Sequence, residues 1–268
     1  MTRRLPQRPA TGENGRVTAL LAISHGTGDQ AGQHAVATLV GAVAARLPDV
    51  VVRLGHVDVQ QPDVATALAH LHAAPVALVP LLLSAGYHVH VDLRRATRDR
   101  PDVRVAPALG PDPRLVDVLV QRLQEAGWDA ASSAPDDAVV LAVAGSSDER
   151  ANEDCRVVAR LLAERIARPV EVGFLAAAHP RLRDAVTAAQ SRTARPVAVA
   201  TYLLAPGYFH DLAVREAPGA IVARPLLDAD APAAALVDLV VDRFLAADPH
   251  RTASAGAQRH IEGPAAGV

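Results

Sequence analysis

The chain has 268 residues, half of them apolar, with 27 Lys and Arg against 29 Asp and Glu. A formal charge of −2 gives no general attraction to nucleic acid or to an acidic membrane, and 3% aromatic residues leave little with which to stack single-stranded bases. One cysteine, Cys155, excludes an internal disulfide framework and a thiolate-rich metal site.

Residues 1–15 carry Pro, Gly and Arg without periodicity and predict a disordered arm. No apolar segment behind them resembles a signal peptide, and no run approaches the roughly 18 residues of a membrane span, so a cytoplasmic protein is expected. Residues 17–24 form an apolar strand that ends in His25-Gly26-Thr27-Gly28-Asp29. Residues 30–47 have helical spacing, closed by Pro48, and 50–58 predict a second strand. Pro62 is expected to open a helix running to about residue 72. Residues 76–83 are an unbroken apolar run, as in a strand buried on both faces. That run stops at Ser84-Ala85-Gly86-Tyr87, and His88 and His90 follow at once. A polar helix over 89–98, a strand over 103–106 and a helix over 113–125 complete the unit. Strands alternating with helices imply a parallel sheet with right-handed crossovers.

Residues 130–137 read as a linker, and then the pattern starts again. Gly173 and Pro180 stand 118 residues after Gly55 and Pro62; Pro196 and Tyr208 stand 121 after Pro75 and Tyr87. The expected architecture is α/β: two tandem flavodoxin-like domains, 16–130 and 137–247, each a parallel four-stranded sheet flanked by helices, with a flexible tail over 248–268. The repeat also shows what differs. His25 aligns with Ala144 and His88 with Phe209, so both histidines belong to the first half alone. One competent site per chain is expected.

In a flavodoxin-like order strands one and three are neighbours, about 4.8 Å apart, and a crevice opens at their carboxyl ends. Imidazoles delivered there by His25 and His88 can bracket a divalent metal or accept protons. Two imidazoles alone hold a metal weakly, which suits a protein that passes it on. His34, His70 and His72 fall on helices and read as surface residues, while His56 lies near a strand end at the site edge. Secondary candidates are Gly26, Ser84, Ala85, Gly86, Tyr87, His90, Asp58 and His210. Asp58 is equally a solvated loop acid. Nucleotide-binding, hydrolase-elbow and zincin motifs are absent.

Ile23-Ser24-His25-Gly26, followed by Pro80-Leu81-Leu82-Leu83-Ser84-Ala85-Gly86-Tyr87-His88 with Asp92-Leu93, resembles the sirohydrochlorin chelatase family. Its members include iron and cobalt chelatases of sirohaem and cobalamin synthesis, and its longer members carry two tandem chelatase-like halves. The resemblance implies ATP-independent insertion of Fe²⁺ or Co²⁺ into a tetrapyrrole, with His25 and His88 in the place of the family's two active-site histidines. It implies the metal as substrate and no tightly bound cofactor. The partner is then a small-molecule tetrapyrrole, with no nucleic acid and no membrane, and the chain a monomer or homodimer. Thr27 stands where the family more often has Ser. Arg53, Arg94, Arg95 and Arg98 are candidates to meet substrate carboxylates, although exposed helix faces explain most of them. A metal or tetrapyrrole carrier and a porphyrin ferrochelatase are the alternative readings.

Overall fold

The computed structural model describes residues 18–72, 74–84, 93–128 and 137–248. The expected arm at 1–15 and nearly all of the tail lie outside them. The chain builds two parallel sheets. The first holds β1 (Ala19–Ser24), β2 (Val52–His56), β3 (Val76–Pro80) and β4 (Val103–Val105) in the order β2-β1-β3-β4. The second repeats it with β5 (Val139–Val143), β6 (Val170–Phe174), β7 (Ala198–Tyr202) and β8 (Ile221–Val222), in the order β6-β5-β7-β8. Strands β1, β3, β5 and β7 are buried along their whole length, because helices cover both faces of each sheet.

Local chemistry moves several expected boundaries. The strand expected over 76–83 leaves the sheet after Pro80; Leu81 N–H makes a last bond to the Ile23 carbonyl at 2.7 Å. Pro62 precedes its helix and does not open it. Asp63 is the cap of α2 (Val64–Ala69), its carboxylate accepting from Thr66 N–H at 2.8 Å, while the Pro62 carbonyl accepts from His56 N–H at 3.0 Å. Asp29 caps α1 (Gln30–Arg46) in the same way through Gly32 N–H. Of the helix expected over 89–98, a helical turn at 93–96 falls within the described residues and buries Leu93.

The remaining helices are α3 (Pro113–Glu125), α4 (Glu149–Ile166), α5 (Leu182–Gln190), α6 (Tyr208–Glu216) and α7 (Ala234–Ala247). Two of them cross over. Helix α3 follows β4 in the chain but packs on α4 and β7 of the second half. Helix α7 follows β8 but packs on α1 and β3 of the first half, and α3 and α7 touch each other. Each half hands its last helix to the other, so a single apolar core runs through both, from Leu20 and Leu39 to Leu141 and Phe244. Reciprocal polar contacts frame the exchange. Arg243 of α7 donates to the Ala108 and Leu109 carbonyls at 3.0 and 3.1 Å. Arg122 of α3 donates to the Leu226 carbonyl at 3.1 Å and pairs with Asp228 at 3.0 Å, both side chains buried. A buried pair of this kind fixes geometry more than it adds stability.

The halves differ where their first two strands end. In the first half the terminal pair is Ser24 opposite His56, both buried, sharing a hydrogen bond of 2.8 Å between Oγ and Nδ1. In the second half the same place holds Val143 opposite Phe174. Burial holds the His56 imidazole below its ordinary range. The unfolded chain therefore takes up a proton at this site from about pH 6.5 downward while the folded chain resists it, so stability is lost as the pH falls through that range.

This packing makes three variants informative. An added Cβ at Gly110 would stand 2.0 Å from Tyr202 Oη and 2.3 Å from the Leu83 carbonyl oxygen, two groups that bond each other across the halves at 2.8 Å. Gly110→Ala should cost at least the ~1–3 kcal/mol of core overpacking, read as a lower denaturant midpoint; an unchanged midpoint would contradict this contact. The double variant S24V/H56F, copied from the second half, should fold and lose less stability than the parent between about pH 7 and 5. The single variant S24A, which leaves a buried imidazole nitrogen unpaired, should cost ~1–3 kcal/mol. An identical acid slope in parent and double variant would remove His56 from the account.

Candidate active site between the two halves

The carboxyl ends of both sheets open into one cavity of about 530 Å³. That lies within the ~300–1,000 Å³ of small-molecule sites. Four strand-end segments line it: Ser24 to Thr27 after β1, Leu81 to Ser84 after β3, Val143 to Ser146 after β5, and Tyr202 to Phe209 after β7. Val36, Gln60, Ala151, Asn152 and Cys155 complete the wall.

His25 stands exposed on the first-half edge. The glycine after it explains how. Gly26 has φ +97°, and a Cβ there would lie 2.0 Å from the Asp58 carbonyl oxygen. Gly145 repeats the geometry at φ +86° against the Ala176 carbonyl, again at 2.0 Å. Only glycine lets the loop turn this closely over the next strand. The loop is then pinned: Gln60 Oε1 accepts from Thr27 N–H at 2.9 Å, and Gln33 Nε2 donates to the Thr27 carbonyl at 2.8 Å. In the second half one buried side chain does both jobs, Asn152 accepting from Ser146 N–H and donating to its carbonyl, each at 2.9 Å.

Of the residues singled out from sequence, His25, Gly26 and Ser84 line the cavity. Asp58 and His210 do not. The Asp58 carboxylate accepts from Val59 N–H at 2.7 Å within its own turn. His210 instead bonds the Ala223 carbonyl; burial lowers its pKa and that bond opposes the shift. It follows Phe209 in the chain, but the turn of α6 aims it away from the cavity, so it does not reach across the cleft. Arg53, Arg94, Arg95 and Arg98 are also absent from the lining. Ala85, Gly86, Tyr87, His88 and His90 lie outside the described residues. Among the described residues no three His, Cys, Asp or Glu side chains gather as a metal cage.

Sequence reasoning missed Gln60, Asn152 and Tyr202. Tyr202 stands 121 residues after Leu81 and is a visible break in the repeat, an aromatic hydroxyl in an otherwise apolar register. Burial raises its pKa well above the ordinary value, so it remains a donor, to Leu83 across the halves. Cys155 also faces the cavity, but burial pushes its thiol up to about 12, which keeps it protonated and unlike a thiolate ligand. The site is thus a largely apolar slot with a polar rim, and among the described lining residues the one imidazole is that of His25, on the first-half side.

Known proteins share this fold. SirB from Bacillus subtilis with Fe³⁺ superimposes with a TM-score of 0.71 at 23% identity, over 88% of this chain and 97% of that one, a likeness of fold. Sirohydrochlorin ferrochelatase of Priestia megaterium is 34% identical over 142 residues, 50% of this chain and 52% of that protein. Sirohydrochlorin cobaltochelatase of the same organism is 30% identical over 142 residues, 50% of this chain and 46% of that protein. The chain thus matches about half the length of these curated relatives. The CbiX family model matches twice in tandem, over residues 19–126 and 138–253. With both halves matched, the chain belongs to the CbiX family.

Proposed function

We propose that this protein is a sirohydrochlorin chelatase, inserting Fe²⁺ or Co²⁺ into a tetrapyrrole without ATP. The observation that carries the reading is His25, exposed on one edge of a cavity that both halves build together. The relatives named as ferro- and cobaltochelatases support the reaction class.

Insertion replaces two pyrrole N–H protons by one M²⁺, so two protons leave for each metal that enters. The metal must also trade water and protein ligands for four ring nitrogens. A site with few protein ligands favours that exchange. His25 supplies one imidazole. His88 is the proposed second, since its repeat counterpart Phe209 lines the same cavity. As the metal passes to the ring, a released imidazole is free to accept a pyrrole proton, and the exposed rim lets protons reach water. Imidazole ligands accept both iron and cobalt, so the choice between them falls to metal supply. In this reading residues 16–130 hold the chemistry and residues 137–247 complete the cavity.

Replacing His25 or His88 by Ala should lower metal insertion at least ~10²-fold with the fold retained, followed by absorbance with Fe²⁺ and Co²⁺ separately on sirohydrochlorin and on a porphyrin. Near-parental turnover in both variants would contradict the mechanism. Binding without repeated turnover would identify a carrier, and preference for the porphyrin a different chelatase.

A further inference from the structure

Six of the chain's seven aromatic residues are described, the seventh being Tyr87. Trp128, Phe174, Tyr202 and Phe244 are buried, whereas Tyr208 and Phe209 are 67% and 38% exposed, and both line the cavity. In a protein this poor in aromatics, leaving two adjacent rings in water forgoes core packing, and such exposure marks a binding surface. The rings meet edge to face, centroids 5.5 Å apart and planes at 69°. A flat conjugated ligand laid on one ring therefore meets the edge of the other, and both contacts are of the attractive kind.

The pair is held at the His25 side of the cleft by contacts between the halves. Gly207, at φ +147°, turns the chain into α6, and a Cβ there would lie 3.3 Å from Thr27 Oγ1. The preceding Pro206 carbonyl oxygen sits 2.4 Å from where a Cβ of Gly32 would be, at the start of α1. The turn bearing the rings is thus pressed against the loop that bears His25. Among the described lining residues there is no Lys or Arg, so affinity within the cavity comes from apolar contact and not from ion pairs. We propose that Phe209 and Tyr208, at the repeat position where the first half has His88 and Tyr87, form a stacking platform for the face of a planar conjugated macrocycle. The second half has exchanged a metal ligand for a ring-binding surface, so the flat substrate and the metal meet from opposite halves.

This rests on the chelatase reading, and the test separates the two. Metal-free sirohydrochlorin is titrated into the full chain and into the F209A, Y208A/F209A, F209W and H25A variants, following its visible absorption. F209A should raise Kd roughly 5-fold or more, and the double variant further, by the usual worth of a lost stacking ring. KM should rise in step, the absorption change on binding should weaken, and F209W should restore affinity. Melting temperatures should fall by no more than about 4 °C, since Tyr208 is 67% exposed and Phe209 only partly buried. A double variant within twofold of the parental Kd would overturn the platform and leave the chelatase reading standing, provided H25A binds sirohydrochlorin and fails to insert metal. A parent chain that binds no sirohydrochlorin would overturn both.

Discussion

The exchange of the last helix between the halves is the constraint on which the rest of the structure depends. A four-stranded parallel sheet must be covered on both faces, and neither half does this with its own segments. Helix α3 covers β7 and helix α7 covers β3, so Leu115, Leu119 and Leu123 belong to the same core as Leu236, Val240 and Phe244. The two sheets are thereby fixed with their carboxyl ends facing one cavity. An internal repeat alone would give two crevices, one per half. The exchange fuses them.

Fusion lets the halves diverge. Where the first half ends its strands in Ser24, His25 and His56, the second has Val143, Ala144 and Phe174. The loop scaffold survives in both, down to the positive-φ glycines Gly26 and Gly145 and the caps Asp29 and Asp148. What changed is the chemistry displayed on it. In the proposed chelatase reading, a second imidazole edge would compete for the same metal across a single cavity, whereas an apolar edge adds contact area for a flat ligand.

Much of this was legible in the sequence, for physical reasons that differ by feature. The apolar runs around Leu20 and Leu78 are short and bounded by turn residues, which reads as strands buried on both faces, and the neighbouring of strands one and three is the flavodoxin-like expectation that the order β2-β1-β3-β4 meets. The placement of His25 at the cavity followed from its position after β1. The helix exchange was not legible: the stripe of Leu115, Leu119 and Leu123 says that α3 is buried on one face, not against which sheet. Proximity in sequence misled at His210, because successive residues of a helix point about 100° apart and only its predecessors face the cleft. Asp58 takes the second of its two readings, an exposed loop acid whose carboxylate accepts from Val59 N–H in its own turn. Gln60 and Asn152 were invisible because they act by pinning backbone; Asn152 stands 119 residues after Gln33, at the same repeat position, and makes both the Gln33 bond and the one that Gln60 makes in the first half.

The central claim is one composite site per chain, assembled from unequal halves. The stoichiometry of tetrapyrrole binding tests it most directly, read by calorimetric titration of the intact chain with metal-free sirohydrochlorin. The account predicts saturation at one equivalent per chain. Two equivalents would mean that each half keeps a crevice of its own, and would contradict it.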